Sequence, residues 1–257
     1  MSTKIPVISI NHLCKSYSAK EEEQVLKDVD LDIVEGEFHI LLGPSGCGKS
    51  TLLNSVAGFL KPTSGKILID GKEAKSPGND RGVVFQSADR AIFPWLTVQK
   101  NVEYGPKVNG IRKKERKKIA DKYIHLVGLD DHKEKYPDEL SGGMKQRLQI
   151  ARALANNSRI LIMDEPFGAL DAYTRRIMQD ELIKIWKETG KTILFVTHDI
   201  TEAILLGQKI HIMSTAPHST IYKTYEVDIP YPRKETGKEF SDLFDNLKGH
   251  FDFGAGI

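Results

Sequence analysis

The eight residues Gly43-Pro44-Ser45-Gly46-Cys47-Gly48-Lys49-Ser50 constrain this chain more than any other stretch, because they satisfy the pattern GxxxxGK[ST] in full. Before them, Phe38 to Leu42 is a short apolar run that reads as a strand buried on both faces. After them, Thr51 to Ala57 is compatible with a helix. In that context glycines let the backbone curl so that successive N–H groups converge on phosphates, and the helix N-terminus adds partial positive charge. Lys49 is expected to bridge the terminal phosphates of a nucleotide, the Ser50 hydroxyl to ligate Mg²⁺, and Thr51 to complete the segment. An accidental glycine-rich turn would not bring both the strand and the helix.

Length allows one sizeable core, or one core with a smaller subdomain, in 257 residues. Hydrophobic residues at 40% and charged residues at 28% fit a globular balance, so disorder is not expected. A formal net charge of +2 carries no signature of nucleic-acid binding. Cys14 and Cys47 are the two cysteines, without metal or disulfide spacing, which fits a reducing, cytosolic setting. Apolar runs fall short of the roughly 18 to 20 residues needed to span a bilayer, and the N-terminus is too polar for a secretion signal. A membrane role is therefore expected through a partner protein.

Val29, Leu31 and Ile33 alternate with Asp30 and Asp32, which predicts a half-buried strand. Lys66 to Asp70 before Gly71, Arg81 to Phe85, Arg159 to Met163, Ile193 to Val196 and Ile210 to Met213 read as further strands. Between about residues 87 and 157 the pattern turns helical, with Ile119, Tyr123, Leu126 and Val127 on one face. Met178, Leu182, Ile185 and Trp186 mark another helix, stopped by Gly190. Strand, helical insertion and strand again predict a discontinuous α/β core. The tail after about Ala216 is polar, ends in Gly254-Ala255-Gly256, and is expected to pack loosely.

Ile160-Leu161-Ile162-Met163-Asp164-Glu165 ends an apolar strand in two adjacent acids. Asp164 would sit at the strand's carboxyl end, where open α/β sheets bind ligands, and would hold Mg²⁺. Its neighbour Glu165 is expected to face the other way, as on extended chain, and to polarise an attacking water. Such a pair is often only a solvated strand end; here it follows a buried strand and precedes Pro166, with a complete phosphate loop upstream.

Leu140-Ser141-Gly142-Gly143-Met144-Lys145-Gln146-Arg147 closely resembles the signature of ATP-binding cassette (ABC) ATPases. Ser141, Gly142 and Gly143 precede a helix-compatible stretch, Met144 to Ala155, so their N–H groups can form a second anion site. The family's usual Gln at the fifth position is Met144 here, a substitution shared with some importer branches. The resemblance covers about residues 5 to 215. It implies a P-loop NTPase α/β core with an N-terminal antiparallel β subdomain, an inserted α-helical subdomain at about 87–157, and a C-terminal extension at 216–257. It also implies ATP and Mg²⁺ as ligands, and a homodimer in which each signature caps the γ-phosphate on the partner's loop. Residue by residue, Tyr17 resembles the aromatic that stacks on adenine, and Gln86 the glutamine that senses Mg²⁺ and water. Gly168-Ala169-Leu170-Asp171 resembles the loop linking the two sites, and His198 the histidine that contacts γ-phosphate.

Long coiled-coil insertions and paired cassettes, as in repair and translation members of the family, are missing from the pattern. A separate importer ATPase is expected, peripheral on the cytoplasmic face of a bacterial inner membrane. Its partners would be an integral-membrane permease and, indirectly, a solute-binding protein, with no nucleic acid. Phe93-Pro94-Trp95-Leu96-Thr97-Val98 suits a groove for a helix of the membrane partner, or alternatively packs the helical subdomain. With Gly82-Val83-Val84-Phe85-Gln86, this string most resembles the nitrate/sulfonate/taurine importer ATPases. The basic run Arg112 to Lys118, six cations in seven residues, reads as a solvated helix face or as a contact for nucleic acid or anionic lipid head groups. An ABC module acting on nucleic acid or ribosomes is the alternative function, and an inactive nucleotide-binding scaffold a third.

Overall fold

All five residues of strand β3 (Phe38–Leu42) are buried, His39 included, as the run before the glycine-rich loop predicts. The computed structural model describes residues 5–17 and 24–252. The chain divides into two compact units, Met1–Gly78 with Thr192–Ile257, and Asn79–Lys191. Among the described residues the elements form a P-loop NTPase α/β architecture with an antiparallel β subdomain.

In the first unit, β1 (Pro6–Ser16) and β2 (Gln24–Val34) pair antiparallel. Val29, Leu31 and Ile33 of β2 are buried and the aspartates between them exposed, so strand alternation decides which face meets the core. With β4 (Ser64–Ile69) and β5 (Lys72–Glu73) they form a sheet in the order β2–β1–β4–β5. Elsewhere in the unit β3 lies between two parallel neighbours, β8 (Thr192–Thr197) and β9 (Lys209–Met213). Burial on both faces suits these apolar strands, whose side chains are almost all inaccessible. Helix α1 (Lys49–Ala57) follows β3 and helix α6 (Ile200–Leu206) follows β8.

A loosely packed tail is not what the structure shows. β10 (Ile221–Glu226) pairs antiparallel with β9, and α7 (Lys238–Asp252) buries Phe240 and Leu247. Arg233, only 4% exposed, donates to the carbonyls of Ile204 and Gly207, which close the end of α6, and to those of Val227 and Ile229. Apolar residues are sparse there, but a paired backbone and one buried guanidinium order the segment, which composition does not reveal. Gly254 to Gly256 lies outside the described residues.

A polar chain crosses this core. Thr224 Oγ1 lies 2.9 Å from His211 Nδ1, His211 Nε2 2.8 Å from His39 Nδ1, and His39 Nε2 2.7 Å from Glu37 Oε2. Ionised Glu37 can only accept, so with neutral imidazoles each member must donate toward it in turn.

In the second unit, β6 (Arg81–Val84) runs parallel to β7 (Ile160–Asp164), with Val84 opposite Met163. Helices α2 (Val98–Val108), α3 (Lys113–Leu126) and α4 (Gly142–Ala155) pack on one another. α3 buries Ala120, Tyr123 and Ile124, followed by Val127, while Ile119 and Leu126 are half-buried: the apolar stripe sits slightly around from the expected one. The basic run is exposed except at Arg116, which is half-buried and bonds Glu103 at 3.1 Å. Helix α5 (Ala172–Thr189) buries Met178, Leu182, Ile185 and Trp186 and ends at Gly190, at φ 62.

Candidate active site

The phosphate loop leaves the carboxyl end of β3, the edge at which parallel sheets present ligands. Two of its glycines hold left-handed backbone, Gly46 at φ 80 and Gly48 at φ 95. A Cβ on Gly48 would also lie 2.9 Å from both Leu26 Cδ2 and Val25 Cγ1. Packing and torsion thus both demand glycine at that position. Gly48 is the N-cap of α1 and has no side chain to cap it, and a helix start of this kind favours an anion.

Lys49 is 5% exposed, and its ammonium donates to the carbonyls of Gly43 at 2.7 Å and Pro44 at 2.8 Å. With a longer contact to Cys47 Sγ at 3.9 Å, those bonds fix the charge against the loop where an anion would bind. Cys47 is buried in the loop, and burial pushes its thiol pKa up. Ser45, Gly46 and Ser50 are exposed, and Pro44 and Thr51 half-buried. The Tyr17 hydroxyl lies 3.3 Å from Thr51 Oγ1, and the residue is 60% exposed, with the Lys15 ammonium 5.5 Å from its ring centroid. His198 is exposed one residue beyond β8, whose last residue Thr197 pairs with Leu42. It therefore emerges on the same edge as the phosphate loop.

In the second unit Asp164 closes β7 and is 6% exposed. Extended alternation ends there: Glu165 is at φ 43, a left-handed conformation that a non-glycine residue holds only against strain. Its direction is thus set by a turn and not by the strand alternation that the sequence suggests. Gln86 Nε2 lies 3.4 Å from Glu165 Oε2. The register explains the meeting, since Gln86 and Glu165 each lie two residues past the paired Val84 and Met163. With its nitrogen toward Glu165, Gln86 turns its amide oxygen elsewhere. That oxygen, the Asp164 carboxylate and the Ser50 hydroxyl are hard oxygen donors of the kind Mg²⁺ selects.

Ser141 is the N-cap of α4, its Oγ accepting from Met144 N–H at 3.3 Å. The helix starts earlier than its apolar pattern suggests, with Gly142 and Gly143 as its first residues. Gly142 is exposed, and a Cβ on Gly143 would come 3.3 Å from the Ala169 carbonyl. Gly168 to Asp171 therefore lies against this helix end. Asp171 caps α5 by accepting from Thr174 N–H at 2.9 Å, a bond that lowers its pKa.

Phe93 packs against Trp95, Tyr104 and the Arg152 guanidinium, with Trp95 70% exposed. Burial lowers the Arg152 pKa to about 10. Motif spacing does not single out Gln146 and Gln149, which are both 1% exposed and bond the main chain of Phe85. Their signal is two amides three residues apart on the apolar face of α4.

The ABC transporter family profile matches residues 26–168, more than half of the chain. The chain belongs to the ABC transporter ATPase family. An uncharacterized ABC transporter ATP-binding protein of Methanocaldococcus jannaschii is 49% identical over 217 residues, 84% of this chain and 80% of that protein. The taurine import ATP-binding protein TauB of Roseobacter denitrificans is 46% identical over 96% of this chain and 90% of its own. A dimeric, post-hydrolysis ATP-binding cassette bound to ADP and Pi superposes with a TM-score of 0.77 at 34% identity, covering 87% of this chain and all of that one. This ABC protein is an ATP-hydrolysing transport ATPase. Among its described residues no helix is long and apolar enough to cross a membrane.

Proposed function

We propose that the chain is the ATP-driven subunit of an importer for a small anionic solute, of the nitrate, sulfonate or taurine type, working as a homodimer beneath a separate permease. The observation that carries the hydrolytic part is Glu165, an acid held at φ 43 with Gln86 at 3.4 Å. Strain of that kind supports a fixed functional direction for the carboxylate.

Gly43 to Thr51 wraps the phosphates, Lys49 neutralises the terminal ones, and Tyr17 stacks on the adenine. Ser50, Asp164 and Gln86 would hold Mg²⁺, which supplies charge neutralisation on the phosphate oxygens. Glu165 takes a proton from water as the oxygen attacks the γ-phosphorus. The bond to the bridging oxygen breaks, ADP and phosphate leave, and His198 steadies the transferred group. Ser141, Gly142 and Gly143 offer their helix end to the nucleotide of a second copy, and Asp171 lies in the loop that joins the two sites. ATP thus holds two copies together and hydrolysis releases them, which drives the permease between its two faces. A solute-binding protein would act only through that permease.

The anion class rests on the likeness to TauB, and the permease contact on the exposed Trp95 beside Phe93 and Tyr104. Purification of the tagged chain from membranes tests both partners: a multi-span membrane protein should co-purify, and Trp95→Ala should reduce its recovery. Recovery of RNA or DNA in place of a membrane protein would support a nucleic-acid role instead.

A further inference from the structure

Phe85 lies just past the end of β6 and directly before Gln86, where ladder pairing with β7 runs out. Its backbone polar groups are not left to water. The Phe85 N–H donates to Gln149 Oε1 at 2.6 Å, and Gln149 Nε2 donates to the Phe85 carbonyl at 2.8 Å. Gln146 Nε2 donates to the same carbonyl at 3.3 Å. One side-chain amide therefore substitutes for a strand edge, with donor and acceptor each matched. A second tie joins Lys145 Nζ to Asp89 at 3.0 Å, on the other side of Gln86.

Gln149 belongs to α4, the helix whose N-cap is Ser141, about 12 Å away along the axis at 1.5 Å per residue. Gly143 on the first turn touches the 168–171 loop. The helix is a rigid rod with its signature end free for an anion and its middle clamped to the residue before Gln86.

We propose that Gln149 is a positioning residue that fixes Gln86 against Glu165, and transmits the position of the signature end of α4 to that pair. This rests on the reading of Gln86 and Glu165 as hydrolytic groups. An apolar residue of the same shape would remove both Gln149 bonds and leave the Phe85 carbonyl to Gln146 at 3.3 Å, and the part-buried strand end would shift to recover what it lost. Nucleotide binding by Gly43 to Ser50 and Tyr17 involves none of these groups. The clamp should therefore act on turnover and leave affinity alone.

The test is steady-state ATP hydrolysis by the full chain carrying Gln149→Leu, Gln149→Glu or Gln86→Ala, from pH 6 to 8.5, with melting temperature measured at each pH. Gln149→Leu should lower kcat about tenfold with KM for ATP within about twofold of native. Gln149→Glu keeps the acceptor but loses the donor while ionised. Burial favours its protonated form as pH falls, which again has one donor and one acceptor. Its kcat relative to native should therefore rise toward pH 6, while the Gln149→Leu ratio stays flat. A native kcat in Gln149→Leu alongside an impaired Gln86→Ala would overturn the clamp. So would losses that follow only the folded fraction and keep one ratio to native at every pH. A native kcat in Gln86→Ala would instead sink the hydrolytic role of Gln86, and the clamp's role with it.

Discussion

Lys49 is the first residue of α1 and is buried against the phosphate loop. Its ammonium is held by the Gly43 and Pro44 carbonyls, so the charge is directed before any phosphate arrives. Replacing it with alanine removes the one cation of the loop; affinity for ATP should fall about 100-fold by calorimetric titration. Unaltered affinity would refute the phosphate contact. The residues from Gly43 to Ser50 were legible because their identities carry the chemistry and their spacing carries the geometry. Glu165 was legible as a candidate base, but its left-handed backbone was not, since nothing local distinguishes that torsion from an extended one. Gln149 was hidden for another reason. Its partner is the backbone of Phe85, 64 positions away, and a backbone partner leaves no mark in sequence.

At the scale of elements, strands with two-residue alternation or continuous burial announced themselves, as β2, β3 and β7 did. β10 and α7 did not. β10 is an edge strand with mostly exposed side chains, and α7 exposes most of its polar residues while burying Phe240 and Leu247. The histidine chain across β3, β9 and β10 was equally invisible, because it joins residues far apart in sequence. It makes a prediction about pH. Burial lowers the pKa of both His39 and His211, the latter from an ordinary 6.5 to about 3. The folded chain therefore resists protonation that the unfolded chain accepts. Stability from this chain is full above about pH 6.5 and is lost as pH falls toward the folded value. Melting temperature should drop between pH 7 and pH 5, and His211→Gln should flatten that slope. Parallel slopes in the native protein and the variant would remove the histidine pair as the cause. Glu37, whose pKa is also lowered, acts only below its ordinary 4.5 and does not reach this window.

For the whole molecule, the central claim is that one chain carries two anion-binding helix ends, at Gly48 and Ser141, and uses them on different nucleotides. The most direct test uses Glu165→Gln, which removes the base and keeps the shape; turnover should fall about 1000-fold. Light scattering behind gel filtration should then find this variant at twice the monomer mass with Mg²⁺ and ATP, and at monomer mass with ADP. A variant that stays monomeric at saturating ATP, or that hydrolyses ATP at the native rate, would contradict the account.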